Sequence, residues 1–435
     1  MNNNFRIDMP NEVEAALNIL NNKGFEAYIV GGCVRDCLLG IEPKDWDIAT
    51  SALPSDIIEC FKDFKVIETG IKHGTVAVIV NMLSIEVTTF RTDGDYTDNR
   101  RPNYVNFIDN IEMDLKRRDF TINAMAYSHK NGIIDFFSGI KDLKLKLIKC
   151  VGNPDDRFNE DGLRILRALR FASVLEFSIE STTSQSIHKN KELLKNISSE
   201  RLSSEFNKLI MGKGFLPVMD RYRDVISVFI PEIKSIVGFK QRISDKERNL
   251  WLESIETVDC LPCDIILRLT ALLYNIGSDR EISCVNTVEA ALNALRRLRY
   301  DNATSEDVKL LILYCNKEIP TDEISIKNCL NKIGSVNFKR LLEIKKAEAK
   351  LKISNNNICM KKIHQASSIL NKILDKNICY NLKGLSVNGV DLINLGIKEG
   401  KRVGELLNEL LALVIENELE NEKELLISYV KKYRL

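Results

Sequence analysis

The sequence predicts an α+β protein in which a mixed α/β head is followed by an all-α neck, body and tail. Two observations lead to this prediction. Residues 1 to about 140 alternate strand-like and helix-like patterns, and from about residue 150 apolar residues recur with a helical period almost throughout. We expect the head to span residues 1–145, the neck 146–215, the body 216–350 and the tail 351–435.

The first distinctive element is an apolar strand that ends in two glycines and leads to an arginine, in residues 28–36 (YIVGGCVRD). Gly31 and Gly32 lack a Cβ, so their backbone N–H groups can approach an anion closely. Arg35 offers a planar fork of donors that suits phosphate oxygens. A glycine pair alone is usually only a turn, and its place in an ordered series of motifs is what makes the prediction specific.

Two carboxylates follow at Asp45 and Asp47. On a strand, side chains two residues apart point to the same face, so these carboxylates repel each other unless a cation lies between them. Mg²⁺ is the usual cation where phosphates are handled. The pair therefore predicts a metal site beside the glycine turn, although an isolated Asp-x-Asp is most often a solvated loop.

Glu86 lies in the second of two β-branched runs, residues 76–80 and 84–91, which we expect to form neighbouring strands of one sheet. A carboxylate in an apolar strand costs free energy if it is buried without a partner. Two interpretations remain open for Glu86: an edge-strand glutamate that faces water, or a third carboxylate near the metal.

Residues 116–125 (KRRDFTINAM) begin with three cations and continue with four apolar residues that predict a core-facing helix. These apolar residues are Phe120, Ile122, Ala124 and Met125. A basic triplet is most often a solvated face. Since this one follows the carboxylate-bearing sheet, it also predicts contact with phosphate or ribose.

Residues 160–172 (EDGLRILRALRFA) have the pattern of one helix. Four charged residues recur on it at intervals of three, and such positions are neighbours on a helix surface: Asp161, Arg164, Arg167 and Arg170. One interpretation is the charged face of an amphipathic helix. The other is base recognition, because an aspartate accepts from the exocyclic amine of cytosine or adenine while an arginine donates to the ring. Uracil and guanine present a carbonyl there and would leave Asp161 unpaired.

Segments 31–36, 45–47, 116–124 and 160–164, in this order, resemble the motifs of the class II tRNA nucleotidyltransferase (CCA-adding enzyme) and bacterial poly(A) polymerase family. Residues 200–210 resemble that family's next helical motif. The resemblance implies a nucleotidyltransferase head of the polymerase-beta-like type. It also implies template-independent addition of C, C and A to the 3′ end of tRNA from CTP and ATP, by two-metal transfer that releases pyrophosphate.

The resemblance also implies roles for single residues. It assigns contact with the incoming nucleotide to Gly32 and Arg35, Mg²⁺ binding to Asp45 and Asp47, and triphosphate and ribose contacts to Arg118 and Asp119. Glu86 would help at the metal site if the second interpretation of its position holds. It assigns the protein template for base choice to Asp161 and Arg164, with Arg167 and Arg170 lining the same site. Residues 91–102 match the flexible loop that the family uses to switch from C to A.

One departure from the family is visible in residues 267–277. Many relatives carry a metal phosphohydrolase site marked by His-Asp in an apolar helix, and Tyr274-Asn275 stands at that place here. Neither side chain is a good ligand for a transition metal. We therefore expect a helical remnant of that domain without phosphohydrolase activity.

The overall composition excludes a generally basic protein, because 62 Lys and Arg balance 61 Asp and Glu to a net charge of +1. RNA contacts must then come from local patches. Eleven scattered cysteines and the lack of an apolar leader are typical of reduced thiols in a cytoplasmic protein. No apolar run is long enough to cross a membrane. The oligomeric state is left open.

Three alternatives share some or all of these motifs. A poly(A) polymerase would share every head motif, although the chain lacks a strongly basic carboxy-terminal extension. An enzyme that adds only CC or only A would share them as well, and the intact loop at residues 93–101 argues against CC-only addition. A catalytically inactive RNA-binding protein would have no need of the metal pair.

Overall fold

The computed structural model describes residues 6–94, 104–237, 240–243, 246–276, 284–351 and 356–433. The chain divides into two compact units, Met1–Pro231 and Glu232–Leu435. Among the residues described, none of the helices combines the length and apolar character that a membrane crossing requires. The finer division into head, neck, body and tail stays a prediction.

The first unit contains the mixed α/β head and the helices that follow it. Its strands are β1 (Ala27–Val30), β2 (Trp46–Thr50), β3 (Lys65–Ile67), β4 (Thr75–Val80), β5 (Leu83–Thr89), β6 (Arg91–Asp93), β7 (Val105–Phe107), β8 (Ala126–Ser128), β9 (Gly132–Ile134), β10 (Leu147–Ile148) and β11 (Ser178–Ile179). Its helices are α1 (Asn11–Asn22), α2 (Gly32–Leu38), α3 (Pro54–Cys60), α4 (Ile111–Lys116), α5 (Gly139–Lys144), α6 (Pro154–Glu160), α7 (Leu163–Leu175), α8 (Ser181–Asn190), α9 (Ser199–Ile210), α10 (Phe215–Arg221) and α11 (Arg223–Phe229).

The central sheet has the strand order β3-β4-β5-β2-β1-β8-β9. Only β2 and β5 pair in parallel, and the predicted neighbours β4 and β5 form an antiparallel hairpin. All four residues of β1 are buried because both faces of the strand are covered. Ile29 packs in one apolar cluster while Tyr28 and Val30 pack in another on the opposite face. This burial explains the continuous apolar run that precedes the glycine turn.

Residues 116–125 are core-facing, as predicted, but they do not form an α-helix. Helix α4 ends at Lys116, and only one 3₁₀ turn (Thr121–Asn123) follows. The backbone hydrogen bonds go instead to a neighbouring segment: Thr121 N donates to the Lys149 carbonyl (2.9 Å) and Val151 N to the Asp119 carbonyl (3.1 Å). The four apolar side chains are fully buried in this arrangement.

Residues 160–172 do not form one continuous helix, because α6 ends at Glu160 and α7 begins at Leu163. Asp161 lies between α6 and α7 with an extended backbone (φ −141°, ψ 106°). Its carboxylate accepts from the backbone N–H of Leu163 at 3.0 Å, which competes with helical hydrogen bonding. Gly162 packs against Leu193 so closely that a Cβ would lie 3.0 Å from the Leu193 carbonyl oxygen. The expectation that Asp161 lies one helical turn before Arg164 on a single helix was therefore wrong.

The second unit is predominantly helical, as expected. Its helices are α12 (Leu250–Asp259), α13 (Ile265–Leu273), α14 (Cys284–Arg297), α15 (Asn302–Cys315), α16 (Glu323–Leu351), α17 (Asn356–Asp375), α18 (Gly389–Asn394), α19 (Lys401–Ile415) and α20 (Lys423–Tyr433). Near the carboxyl end, α19 and α20 are linked by a hydrogen bond in which the Tyr429 hydroxyl donates to Glu409 at 2.9 Å.

Two short strand pairs interrupt the expected all-α region. In the first unit β10 pairs with β11 in parallel, and in the second β12 (Lys240–Ile243) pairs with β13 (Lys246–Asn249) as an antiparallel hairpin. These strands are two to four residues long, too short to produce a two-residue periodicity that a sequence pattern can reveal.

The segment with Tyr274-Asn275 packs as predicted. Helix α13 directs Leu267, Ala271 and Leu272 into the interior, and Ile276, in the turn that follows the helix, is buried as well. Tyr274 is buried, and the Asn275 side-chain amide donates to the Ser254 hydroxyl at 3.0 Å. Both residues at the place of the His-Asp pair therefore belong to the packing of the helices.

Candidate active site

A cleft of about 840 Å³ in the first unit brings together ten of the eleven predicted site residues. They come from the glycine turn, the start of β2, the segment after α4 and the face of α7: Gly32, Arg35, Asp45, Asp47, Arg118, Asp119, Asp161, Arg164, Arg167 and Arg170. Glu86 is the predicted residue outside this lining. Residues far apart in sequence thus share one cavity of the size that holds a small-molecule ligand.

The glycine turn depends on Gly31 for its shape. Gly31 has a positive φ of 77°, and a Cβ at this position would lie 2.8 Å from Nη1 of Arg118. At Gly32 the nearest atom to such a Cβ is 3.7 Å away, an ordinary contact. Gly31 therefore allows the turn and the close approach of Arg118, while Gly32 begins α2 at the edge of the cleft.

The two aspartates differ in their surroundings. Asp45 is exposed just before β2, and Asp47 is half-buried within it. Burial and the negative charge of Glu86 raise the pKa of Asp47 to about 6, with a further contribution from Asp45 opposed by Arg118. Carboxylates that resist ionisation together are stabilised by a cation, so this pair fits a divalent metal ion.

Glu86 lies beside Asp47. The two residues are in register across the parallel pair β2 and β5, so their side chains project from the same face of the sheet. The strand that carries Glu86 lies between β4 and β2 within the sheet, which rules out the edge-strand interpretation. Its side chain is exposed. This position favours the interpretation that Glu86 is a third carboxylate near the metal site.

Arg35 and Arg118 are held in place by neighbouring polar groups. Arg35 is buried, and it donates to the Asn123 side-chain oxygen at 2.6 Å and to Asp36 at 2.9 Å. Arg118 donates to the buried carboxylate of Asp114 at 3.2 Å. Two guanidinium groups with fixed orientation beside a glycine turn can receive phosphate oxygens without a large entropic cost.

Asp119 is engaged with protein groups on both of its oxygens. Its Oδ1 accepts from the Phe120 N–H and the Asn123 amide, and its Oδ2 accepts from Arg167 at 2.9 Å. Burial alone would raise the pKa of Asp119, but Arg167, the Asn123 hydrogen bond and Arg164 outweigh it and lower the pKa to about 2. Asp119 thus orders the arginines of the cleft wall, and its predicted ribose contact remains a prediction.

Phe171 was not predicted as a site residue from the sequence. In the structure it lies at the centre of an arginine cluster. The guanidinium groups of Arg35, Arg167 and Arg170 lie 5.1, 5.4 and 3.9 Å from the centre of its ring. Such cation–π contacts hold the guanidinium planes near the ring face. Its position within the arginine-rich run was the one available signal.

Glu205 and Arg201, both on α9, were also missed as site residues. Glu205 pairs with Arg170 at 3.2 Å and with Arg167 at 3.6 Å. Arg201 donates to Oδ2 of Asp161 at 2.7 Å. Both belong to the motif at residues 200–210, whose resemblance was noticed without a role for single side chains.

Asp161 and Arg164 both line the cleft, but each is paired with another residue. Asp161 pairs with Arg201, while Arg164 donates to Glu160 at 2.6 Å and to the Arg117 carbonyl at 3.1 Å. Their backbones are directly linked, since Arg164 N donates to the Asp161 carbonyl at 2.9 Å. The chain therefore places the two groups together without the regular helix that was expected.

The loop expected to govern the switch from C to A lies largely outside the described residues, which omit 95–103. On either side of that stretch, β6 and β7 pair in antiparallel register, with Arg91 opposite Phe107 and Asp93 opposite Val105. The assignment of this loop stays a prediction.

Comparisons with known proteins agree with this geometry. A family profile described as "Poly A polymerase head domain" matches residues 27–149, one described as "RNA and SrmB- binding site of polymerase A" matches residues 176–236, and one described as "tRNA nucleotidyltransferase domain 2" matches residues 282–430. The chain is 35% identical to the CCA-adding enzyme of Ligilactobacillus salivarius over 98% of both chains. It is also 35% identical to the CCA-adding enzyme of Enterococcus faecalis, covering 98% of this chain and 97% of that protein.

Solved structures show the same fold. The crystal structure of the Bacillus stearothermophilus CCA-adding enzyme in complex with CTP superposes with a TM-score of 0.72 at 28% identity, covering 98% of each chain. The Thermotoga maritima CCA-adding enzyme complexed with tRNA gives a TM-score of 0.59 at 23% identity over 98% of this chain and 97% of that one, which supports the fold. With relatives of this identity along nearly its whole length, the chain belongs to the family of CCA-adding enzymes.

Proposed function

We propose that this protein adds C, C and A to the 3′ end of tRNA from CTP and ATP and releases pyrophosphate. The observation that carries the proposal is the cleft itself, which joins the glycine turn, the Asp45–Asp47 pair and the residues Asp161 and Arg164 in one cavity. Full-length relatives are CCA-adding enzymes, which favours this activity over poly(A) synthesis and over RNA binding without catalysis.

The residues of the cleft suggest how the nucleotide is held. Backbone N–H groups at the glycine turn, with Arg35 and Arg118, receive the triphosphate oxygens. The terminal hydroxyl of the RNA attacks the α-phosphorus, and pyrophosphate leaves in line. No covalent intermediate with the protein is needed, so the contribution of the chain is positioning and charge stabilisation.

Membership of this family implies a divalent cation, and we propose that it is Mg²⁺ held by Asp45 and Asp47 with assistance from Glu86. Among the described side chains, no group of three or more His, Cys, Asp and Glu forms a complete metal cage. A site of two carboxylates completed by substrate phosphates is typical of Mg²⁺. When bound, such a cation stabilises charge on the attacking and leaving oxygens.

Base choice is proposed to reside in Asp161 and Arg164. An exocyclic amine at the Watson–Crick edge of C or A can donate to Asp161, while Arg164 donates to an acceptor on the same edge. Both residues must exchange their present partners, Arg201 and Glu160, for the base. A base that presents a carbonyl at this edge cannot donate to Asp161, so Asp161 keeps its ion pair with Arg201.

One assay tests this function directly. Purified protein is incubated with tRNA transcripts that end before CCA, after the first C and after CC, with each labelled nucleotide supplied separately. We expect C on the first two transcripts and a single A on the third. Long A tracts would indicate a poly(A) polymerase, and a stop after CC would indicate partial addition. We propose that the protein acts in the cytoplasm, where these substrates meet, and cell fractionation would test this.

A further inference from the structure

Asp114, on helix α4, is a buried carboxylate that the proposed mechanism does not use. It is 1% exposed, and it stands behind the wall of the active-site cleft, where its partners Arg117 and Arg118 belong to the lining. A buried charge is costly unless hydrogen bonds and opposite charges surround it. The groups that surround Asp114 therefore indicate its role.

One carboxylate oxygen of Asp114 holds Arg118 at the proposed phosphate end of the cleft. Oδ2 accepts from Nη2 of Arg118 at 3.2 Å. Within the described part of the chain this is the one hydrogen bond that the Arg118 guanidinium makes, and its buried Nε has no partner there. Nη1 of the same group lies against the glycine turn, 2.8 Å from the position that a Cβ of Gly31 would take. The direction of the Arg118 side chain therefore depends on Asp114.

The other oxygen holds Arg117 and the backbone of a neighbouring strand. Oδ1 accepts from Nε and Nη2 of Arg117 at 3.0 and 2.7 Å, and from the Arg91 N–H, at the start of β6, at 3.3 Å. Burial by itself would raise the pKa of Asp114, but the charges of Arg117 and Arg118 outweigh it and hold the pKa below its ordinary value. The carboxylate is thus a stable anion with donors on both oxygens.

Arg117 connects Asp114 with the proposed base end of the cleft. Its side chain folds back onto the helix α4, which ends at Lys116, and its carbonyl accepts from Nη2 of Arg164 at 3.1 Å. Arg164 is the residue proposed to donate to the base. The contacts from Arg118 through Asp114 and Arg117 to Arg164 therefore join the two ends of the nucleotide site, all within the first unit.

We propose that Asp114 is a positioning residue of the nucleotide site, which fixes Arg118 with one oxygen and, through Arg117, the place of Arg164 with the other. A single carboxylate then sets how far the phosphate contacts lie from the base contacts. Groups that are held in place beforehand lose less entropy when the nucleotide binds. This proposal rests on the proposed function and adds to it a residue that does not touch the nucleotide.

The variant Asp114→Asn tests the contact with Arg118. The amide oxygen can replace Oδ1, where three donors converge, and the NH₂ group then faces Arg118, donor against donor. Because a hydrogen bond between charged groups is lost, we expect the KM for CTP to rise about tenfold. The preference for CTP over UTP should stay the same, since Arg117 keeps its acceptor.

The variant Arg117→Lys tests the other oxygen. A lysine keeps the positive charge beside Asp114 but replaces a planar contact of two donors with one flexible donor. The carbonyl that holds Arg164 is then less well fixed, so we expect the preference for CTP over UTP to fall a few-fold, with a smaller change in KM than in Asp114→Asn. Glu112→Gln is the matched control, because it makes the same acid-to-amide change at an exposed position of α4 and should alter neither value.

Incorporation of labelled C or U into a tRNA transcript that ends before CCA gives the KM, the kcat and the preference, and melting curves give the stability of each variant. A purely structural role would lower the kcat for every nucleotide, because less protein is folded, and would leave the KM and the preference unchanged. That result would overturn the proposal, and so would the same change of KM and preference in both variants.

Equilibrium dialysis with labelled CTP and UTP measures the affinities of the same proteins without turnover. If the unsubstituted protein adds no nucleotide, the proposed function is wrong, and the affinities alone decide the role of Asp114. Weaker CTP binding in Asp114→Asn together with a smaller preference for CTP in Arg117→Lys would support that role, and affinities equal to those of the unsubstituted protein would refute it.

Discussion

Asp47 lies near two further carboxylates, Glu86 and Asp45. Its raised pKa arises from burial beside Glu86 and Asp45, and a bound cation would remove that penalty. The amide of asparagine has nearly the same shape but no charge to offer a metal. Changes at this residue therefore test the metal assignment without disturbing the fold.

We predict that Asp47→Asn or Asp45→Asn abolishes nucleotide incorporation while thermal stability and RNA binding are retained. The reason is that only the charge balance of the metal site changes. Incorporation assays with Mg²⁺ and melting curves check this, with Asp63→Asn, an exposed carboxylate outside the cleft, as the control. Full activity in either cleft variant would refute the metal assignment.

Asp119 makes a stability contribution that depends on pH. Its pKa of about 2 lies below the ordinary value of 3.8, so the contribution is complete above about pH 4 and is lost as the pH falls through about 2. The shift corresponds to about 2 kcal/mol. We predict that Asp119→Asn lowers the free energy of unfolding by about this amount at pH 7, and that the difference from the original protein shrinks below pH 4. Urea unfolding at a series of pH values measures it, and a difference independent of pH would contradict the assignment.

Asp161 should affect base choice more than turnover. We predict that Asp161→Ala allows UTP to gain on CTP by roughly tenfold to a hundredfold, because one base-edge contact is worth about 1–3 kcal/mol of discrimination. Single-nucleotide incorporation with each of the four triphosphates measures the ratio. Arg201→Ala, which frees Asp161 without removing it, is the comparison and should lower the preference for C less than Asp161→Ala does. An equal loss for all four nucleotides would mean that Asp161 only shapes the junction of α6 and α7.

At the scale of elements, the proposed phosphate site depends on the shape of the turn between β1 and α2. A side chain on Gly31 meets both an unfavourable φ and the guanidinium of Arg118. We predict that Gly31→Ala lowers incorporation and raises the KM for CTP by at least tenfold, since Arg118 must move. Gly24→Ala is the matched control, because Gly24 also has a positive φ but no atom near its Cβ position. If both variants lose the same activity, backbone strain alone explains the effect.

Elements with a strong local pattern could be predicted from the sequence, and those defined by distant partners could not. The strand before Gly31, the β4–β5 hairpin and the two helices near the carboxyl end all follow from periodicity. Residues 116–125 have a helix-like pattern, yet their backbone forms hydrogen bonds with residues 149–151. The break at Asp161 depends on Leu193 packing against Gly162, a contact that no local pattern can reveal.

The same limit applies to the site. Charged residues in ordered motifs were found because their spacing is itself informative, and nine of them share the cleft. Asn123, Phe171 and Glu205 were missed because their role is to hold other side chains. Such residues cannot be recognised as part of a site from the sequence, because only the fold brings the arginines next to them.

At the scale of the whole molecule, the second unit bears on the prediction that the protein lacks phosphohydrolase activity. Tyr274, directly after α13, is buried, and the Asn275 amide donates to the Ser254 hydroxyl. The two residues at the place of the His-Asp pair therefore take part in helix packing. We predict no hydrolysis of 2′,3′-cyclic phosphates or phosphomonoesters with Ni²⁺, Mn²⁺ or Mg²⁺. A phosphatase assay on Asp45→Asn protein measures this free of the transfer reaction. Metal-dependent hydrolysis in that variant would reveal a second metal site.

The pairs Asp161–Arg201 and Arg164–Glu160 have a consequence for fidelity. If Asp161 and Arg164 read the base as proposed, these pairs are internal competitors, because a nucleotide gains only the difference between its own contacts and those that it displaces. A base that satisfies just one of the two groups leaves the other resting pair intact and dissociates quickly. Errors should therefore depend on Arg201 and Glu160 as well as on the residues that read the base. The selection of each nucleotide would then depend on the side chains of the protein alone, without a nucleic acid template.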